Sequence, residues 1–128
     1  IRRILKNSKT IAVVGLSNNP DRPSHDIAAY LKRAGYRIIP VNPTIKEALG
    51  DKAYPSLRDL LEKVDIVQIF RRPDEVPAVV EDAIAIGAKV VWMQPGAEND
   101  EAAARAEQAG LTAVNGACMM VAHRTLRL

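Results

Sequence analysis

The sequence has a single cysteine, Cys118, among 128 residues. That excludes an internal disulfide framework and any zinc site built from several cysteines. Aromatic residues make up 4% of the chain, and 18 basic against 15 acidic side chains leave a net charge of only +3. No basic run occurs. A nucleic-acid surface normally clusters Lys and Arg with stacking aromatics, and both halves of that signature are missing. No apolar stretch approaches the roughly 20 residues that cross a bilayer. The opening residues Ile1-Arg2-Arg3-Ile4-Leu5-Lys6 contain no signal-peptide core. They also lack an initiator Met, as expected of a chain trimmed at its start. Paired carboxylates, metal-spaced His/Cys clusters and a Ser-His-Asp set do not stand out. We therefore expect a cytoplasmic protein that is not an enzyme, with no metal site and no nucleic-acid or membrane partner.

What is present is a globular composition, 48% hydrophobic and 26% charged. The length suits one domain over residues 1–128 with a sizeable core. Short runs rich in Val and Ile lie at 10–15, 37–41, 65–70, 89–93 and 111–114. They are almost continuously apolar, as parallel strands covered on both faces are. Between them the pattern predicts helices at 24–34, 56–63, 74–86 and 99–109, with a short one near 119–126. Ser24 and Asp74 are candidate N-caps, and Pro77 falls in a first turn where its missing N–H costs little. Gly35, Gly87 and Gly110 are candidate helix stops. The segment 43–55 is turn-rich and holds at most a short edge strand.

Strands alternating with crossover helices predict an α/β fold, a Rossmann-type doubly wound parallel sheet. The expected strand order is 3-2-1-4-5, with a weak third strand near Ala53 and 65–70 as the fourth. Such sheets bind ligands at the carboxyl ends of the strands, where the order reverses. That places the loops after Gly15 and after Phe70 at one crevice.

The first loop, Gly15-Leu16-Ser17-Asn18-Asn19-Pro20-Asp21-Arg22-Pro23-Ser24, joins a strand to a helix N-terminus. Backbone N–H groups, the hydroxyls of Ser17 and Ser24, and Arg22 all suit a phosphate. A loop that merely caps a helix is the alternative. The G-x-G-x-x-G fingerprint of dinucleotide binding is absent. The second strand ends in Pro40-Val41-Asn42-Pro43, where an NAD site usually places an acid for the ribose. Val41 and Pro43 could support an adenine and Asn42 could hydrogen-bond to it, or the segment is a plain turn. Phe70-Arg71-Arg72-Pro73-Asp74 brings two more arginines, a residue type that grips phosphate in a bidentate way. Solvated surface charge is the other reading of both. Asp74 and Glu75 fit a role at a helix N-terminus. His25 falls near the proposed phosphate site. Cys118 and His123 could pair, although a lone cysteine among Ala117, Met119 and Met120 is more often simply buried.

Taken in order, these pieces resemble small single-domain CoA-binding proteins, similar to the N-terminal CoA-binding domain of the succinyl-CoA synthetase alpha subunit. The resemblance runs through Ala12-Val13-Val14-Gly15-Leu16-Ser17, Arg22-Pro23-Ser24, Gly35-Tyr36 and Pro40-Val41-Asn42-Pro43. It continues in Tyr54-Pro55-Ser56-Leu57, Val64-Asp65-Ile66-Val67, Phe70-Arg71-Arg72-Pro73, Trp92-Met93-Gln94-Pro95-Gly96 and Cys118-Met119-Met120-Val121-Ala122-His123. It implies coenzyme A or an acyl-CoA as a small-molecule nucleotide ligand. The 3′-phospho-ADP part would lie across Gly15–Ser24, Asn42–Pro43 and Phe70–Pro73, and the pantetheine arm would run towards Gln94 and Cys118. Ala117 and Ala122 stand where relatives often carry Arg and an acid. The synthetase uses a phosphorylated histidine from a separate domain, so ligase activity by this chain alone is not expected. The alternatives are an NAD(P)-binding redox enzyme or sensor, a CoA-binding subunit of a multi-chain acyl-CoA ligase, and an interaction module with a vestigial site. A protein partner or homo-oligomer stays open.

Overall fold

The Val- and Ile-rich runs become strands because helices cover both of their faces. A computed structural model describes all of residues 1–128. In chain order the elements are α1 (Arg2–Asn7), β1 (Thr10–Val14), α2 (Pro23–Arg33), β2 (Arg37–Val41), β3 (Glu47–Ala48) and β4 (Asp51–Lys52). They continue with β5 (Ile66–Ile69), α3 (Val76–Ala85), β6 (Val90–Met93), α4 (Asp100–Gln108), β7 (Thr112–Asn115) and α5 (Met119–Leu126). The main sheet has the order β2-β1-β5-β6-β7, and every pairing in it is parallel. No helix is long and apolar enough to cross a membrane.

Alternate residues of each strand feed two cores. Ala12, Val14, Val67, Ile69, Val91 and Met93 pack under α3 and α4. Ile11, Val13, Ile66, Val90 and Trp92 pack under α1, α2 and α5. Side chains alternate across a strand, so an all-apolar strand serves both layers at once.

The chain leaves β2 at one edge and enters β5 on the far side of β1. The order therefore reverses between β1 and β5, as expected from the sequence. Register across this seam is fixed by Ile11 opposite Ile66 and Val14 opposite Ile69. Asp65 ties its lower end: the carboxylate accepts the N–H groups of Lys9 at 2.8 Å and Thr10 at 3.0 Å.

Several local expectations are corrected. The segment near Ala53 is not a sheet strand. β3 and β4 form a separate antiparallel pair, and only a single bridge joins Val41 to Tyr54. Leu49 and Gly50, at φ 55° and 80°, make the tight turn between them, and residues in such a turn have no length left to extend the main sheet. The far edge is instead held by β7, which the expected order left out. The helix expected over 56–63 shrinks to a 3₁₀ turn at Leu57–Asp59. Leu61 is fully exposed, so that segment has no continuous buried stripe to hold a longer helix. Residues 2–7 form α1, which the sequence pattern did not suggest; Leu5 anchors it in the core.

Two caps also differ. Arg22 is the N-cap of α2, with Pro23 as its first helical residue. Ser24 is thus already helical, and its hydroxyl accepts the N–H of Ser17 at 3.0 Å. Asp74 lies in a 3₁₀ turn, Pro73–Glu75, ahead of α3 and caps nothing there. Pro77 does fall in the first turn of α3.

A phosphate-suited cleft at the strand carboxyl ends

The cleft forms where β1 and β5 part. Gly15, just past β1, has φ +89°. A Cβ built there would lie 2.3 Å from the Phe70 carbonyl oxygen. Only glycine lets the two chain segments approach this closely. Gly15 N–H donates to Val41 O, and Phe70 N–H donates to Val14 O, both at 2.9 Å. Three strand ends are therefore locked together beneath the site.

The loop after Gly15 is organised by its own side chains. Ser17 Oγ accepts the Asn19 N–H, and Asn19 Oδ1 accepts the Asp21 N–H. With Ser24 holding Ser17, the loop turns back over the start of α2. Asn42 holds the loop's base: its Nδ2 donates to Leu16 O at 3.0 Å, and its Oδ1 accepts from the Thr44 N–H and hydroxyl.

The resulting cleft is about 840 Å³, a size suited to a small-molecule ligand. Its walls mix polar and apolar surface almost evenly. Gly15, Ser17, Arg22, Ser24, Asn42, Phe70, Arg71 and Arg72 all line it. The other predicted residues do not. Leu16 and Val41 are buried core side chains. Val41 accordingly cannot offer an adenine a face. Pro43 and Pro73 are exposed outside the wall. Gln94 is 2% exposed and sealed behind the sheet end. Its Oε1 accepts from Gln68 Nε2 at 3.1 Å and from the Met119 N–H at 2.8 Å. The Gln68 Oε1 beside it is buried without a partner.

The three arginines are not equivalent. Arg72 reaches Glu75 at 3.3 Å and Asp74 at 3.8 Å, and its side chain is 78% exposed. Arg22 and Arg71 make no ion pair. Arg71 is half-buried. Two guanidinium groups without an ion pair thus line one cleft beside a helix N-terminus, a donor set that fits phosphate oxygens.

Sequence reading missed Asn18, Pro23, Thr44, Ile45, Glu75, Pro95, Gly96 and Ala97 as site residues, and these complete the wall. Pro95-Gly96 after β6 was the detectable signal, since a third strand end borders the same reversal. His25 does not line the cleft. His123 does not serve Cys118: its Nδ1 lies 2.8 Å from the Tyr30 hydroxyl.

Topology and site together define an α/β protein of the Rossmann type with an arginine-bearing cleft at the strand carboxyl ends. A family model described as a CoA binding domain matches residues 9–124, and the chain belongs to that family. It is 48% identical over 123 residues to the uncharacterized protein YneT of Bacillus subtilis, covering 96% of this chain and 91% of that one. The structure of a hypothetical protein from Pyrococcus horikoshii OT3 superposes with a TM-score of 0.96 at 43% identity, covering 99% of this chain and 89% of that one. The ADP-forming acetate–CoA ligase II of Archaeoglobus fulgidus is 35% identical over 83 residues. That match covers 63% of this chain and only 12% of the ligase.

Proposed function

We propose that the chain binds coenzyme A or an acyl-CoA through the 3′-phospho-ADP moiety and performs no chemistry of its own on it. The presence of Arg22 and Arg71, neither in an ion pair, in the wall of one cleft with Gly15 carries this reading. Coenzyme A is anionic at its pyrophosphate and its 3′-phosphate, and two free guanidinium groups suit that pattern. Ser17 and the first turn of α2 would add neutral donors. The wall holds no cysteine or histidine, and its carboxylate, Glu75, already bonds Arg72, which supports a binding rather than a catalytic role.

A nicotinamide cofactor is the weaker candidate. The Asn42 Oδ1 is filled by the Thr44 N–H and hydroxyl, and no carboxylate stands at this strand end to accept from a ribose diol. The likeness to a small part of an acetate–CoA ligase favours a second reading, a CoA-binding subunit that serves a separate catalytic chain.

Calorimetric titration with coenzyme A, acetyl-CoA, 3′-dephospho-CoA and NAD⁺ tests the proposal. Micromolar binding of coenzyme A that weakens without the 3′-phosphate is the expected result. Tighter binding of NAD⁺, or no binding of any of the four, would overturn it.

A further inference from the structure

The loop that carries Arg71 is clamped from outside the cleft. The Phe70 N–H donates to Val14 O, and the Arg72 N–H donates to Glu75 Oε1 at 3.3 Å. The Pro73 carbonyl accepts twice, from the Val76 N–H in the turn ahead of α3 and from Asn99 Nδ2 at 2.8 Å. Asn99 belongs to the neighbouring loop, between β6 and α4. Below it, Gln94 N–H to Ile69 O is the last backbone bond between the two strands. Beyond that, the Asn99 amide makes the one hydrogen bond that joins the loop of Arg71 and Arg72 to the loop of Pro95, Gly96 and Ala97.

Asn99 bonds in three directions. Its Oδ1 accepts the Ala102 N–H at 3.0 Å as the N-cap of α4. Only an oxygen can do so, which fixes the amide's orientation and turns Nδ2 to Pro73. Its own N–H donates to Asn115 Oδ1 at 3.2 Å, and Asn115 Nδ2 donates to Asp100 Oδ1 at 2.9 Å. Asn115 is the last residue of β7. The ends of β5, β6 and β7 are therefore tied through one half-buried residue that does not itself line the cleft. A cap needs no amide nitrogen, since Ser or Asp would serve α4 as well. The Nδ2 donor is the part of Asn99 that capping leaves unexplained.

Both loops supply cleft wall, Arg71 and Arg72 from one and Pro95, Gly96 and Ala97 from the other. A binding group contributes more when it is held in place before the ligand arrives. Glu75 fixes Arg72 through its side chain. Arg71 has no ion pair, so its place depends on its backbone. We propose that Asn99 is a positioning residue for ligand binding. Through the Nδ2 bond to Pro73 O it holds the Arg71 loop against the β6–α4 loop and sets the width of the cleft on that side. This role rests on the coenzyme A reading of the cleft.

Asn99→Ser separates capping from positioning. Serine retains an acceptor for the Ala102 N–H and has no amide nitrogen to donate to Pro73 O. Calorimetry with coenzyme A should show binding about 3- to 10-fold weaker, the worth of one neutral hydrogen bond. The urea midpoint, read by Trp92 fluorescence, should stay with the unmodified chain. Arg71→Ala should then cost less affinity in the Asn99→Ser background than in the unmodified chain, and Arg22→Ala the same in both. Loss of stability alone would not produce that selective coupling. Unchanged binding in Asn99→Ser, or the full Arg71→Ala loss in that background, would overturn the assignment. If the urea midpoint falls, the coupling is read in Asn99→Asp, which also keeps the cap acceptor, and a full Arg71→Ala loss there overturns it likewise. Failure of the unmodified chain to bind coenzyme A is a different result: it removes the functional reading, and this role with it.

Discussion

Gly15→Ala should damage the fold more than any surface glycine change, and the structure sets how much. The new Cβ would sit 2.3 Å from a backbone carbonyl oxygen, whereas real Cβ contacts do not fall under 3.0 Å. The Gly15 and Phe70 segments must therefore separate by at least about 0.7 Å. Both are held by 2.9 Å bonds, Gly15 N–H to Val41 O and Phe70 N–H to Val14 O. Weakening two such bonds costs about 1–3 kcal/mol, and an L-residue in the left-handed region adds about 1–2 kcal/mol. The sum is about 2–5 kcal/mol, a large share of a typical domain's stability. Gly35→Ala is the control. It also has positive φ, at 107°, but a Cβ there would meet nothing within 4 Å, so it carries the conformational part alone. Urea denaturation followed by Trp92 fluorescence measures both. If Gly15→Ala loses no more stability than Gly35→Ala, the close approach of β1 and β5 at the cleft floor is wrong.

Two further outcomes are expected. Arg22→Ala and Arg71→Ala should each weaken coenzyme A binding by about 1.5–3 kcal/mol, roughly 10- to 150-fold, because each removes a free charged donor. Arg72→Ala should change it by less than about threefold, since Glu75 and Asp74 already hold that side chain; equal losses for all three in calorimetry would contradict the assignment. Burial pushes the Asp65 carboxyl up, but the Lys9 and Thr10 N–H groups and the Lys89 ammonium outweigh it and hold it below its ordinary value. Its contribution to stability is then complete above the ordinary aspartate value of about 4 and is lost as pH falls through the lower folded value. Asp65→Asn should destabilise at pH 7 and converge on the unmodified chain in strong acid. An equal deficit at pH 7 and in strong acid, measured by denaturant titration, would refute this.

The parallel sheet was legible because its signal is local and redundant. Val13, Ile39, Val67 and Val91 sit in runs too apolar for any half-exposed strand. Gly35, Gly87 and Gly110 marked helix ends through the same positive φ that the structure displays. The turn at 43–55 and the 56–63 segment were not legible. Their outcome depends on whether a helix face finds a partner, and Leu61 finds none. α1 was missed for the converse reason: a six-residue helix has little pattern of its own, and burial of Leu5 holds it.

The cleft divides along the same line. Residue type and position along the chain were enough to bring Gly15, Ser17, Arg22, Ser24 and Arg71 to one place, because a reversal in a parallel sheet fixes which loops meet. The sequence therefore determined the fold class, the family and the end of the sheet where the cleft opens. Which side chains are free to act was decided by tertiary structure alone. Arg71 and Arg72 are adjacent and identical in chemistry, yet Glu75 occupies one and leaves the other open. Val41 and Leu16 lie beside the cleft in sequence but point into the core. His123 looked like a partner for Cys118 until folding placed Tyr30 against its Nδ1. Those distinctions come from contacts between residues far apart in the chain, whose distances and directions no local pattern encodes.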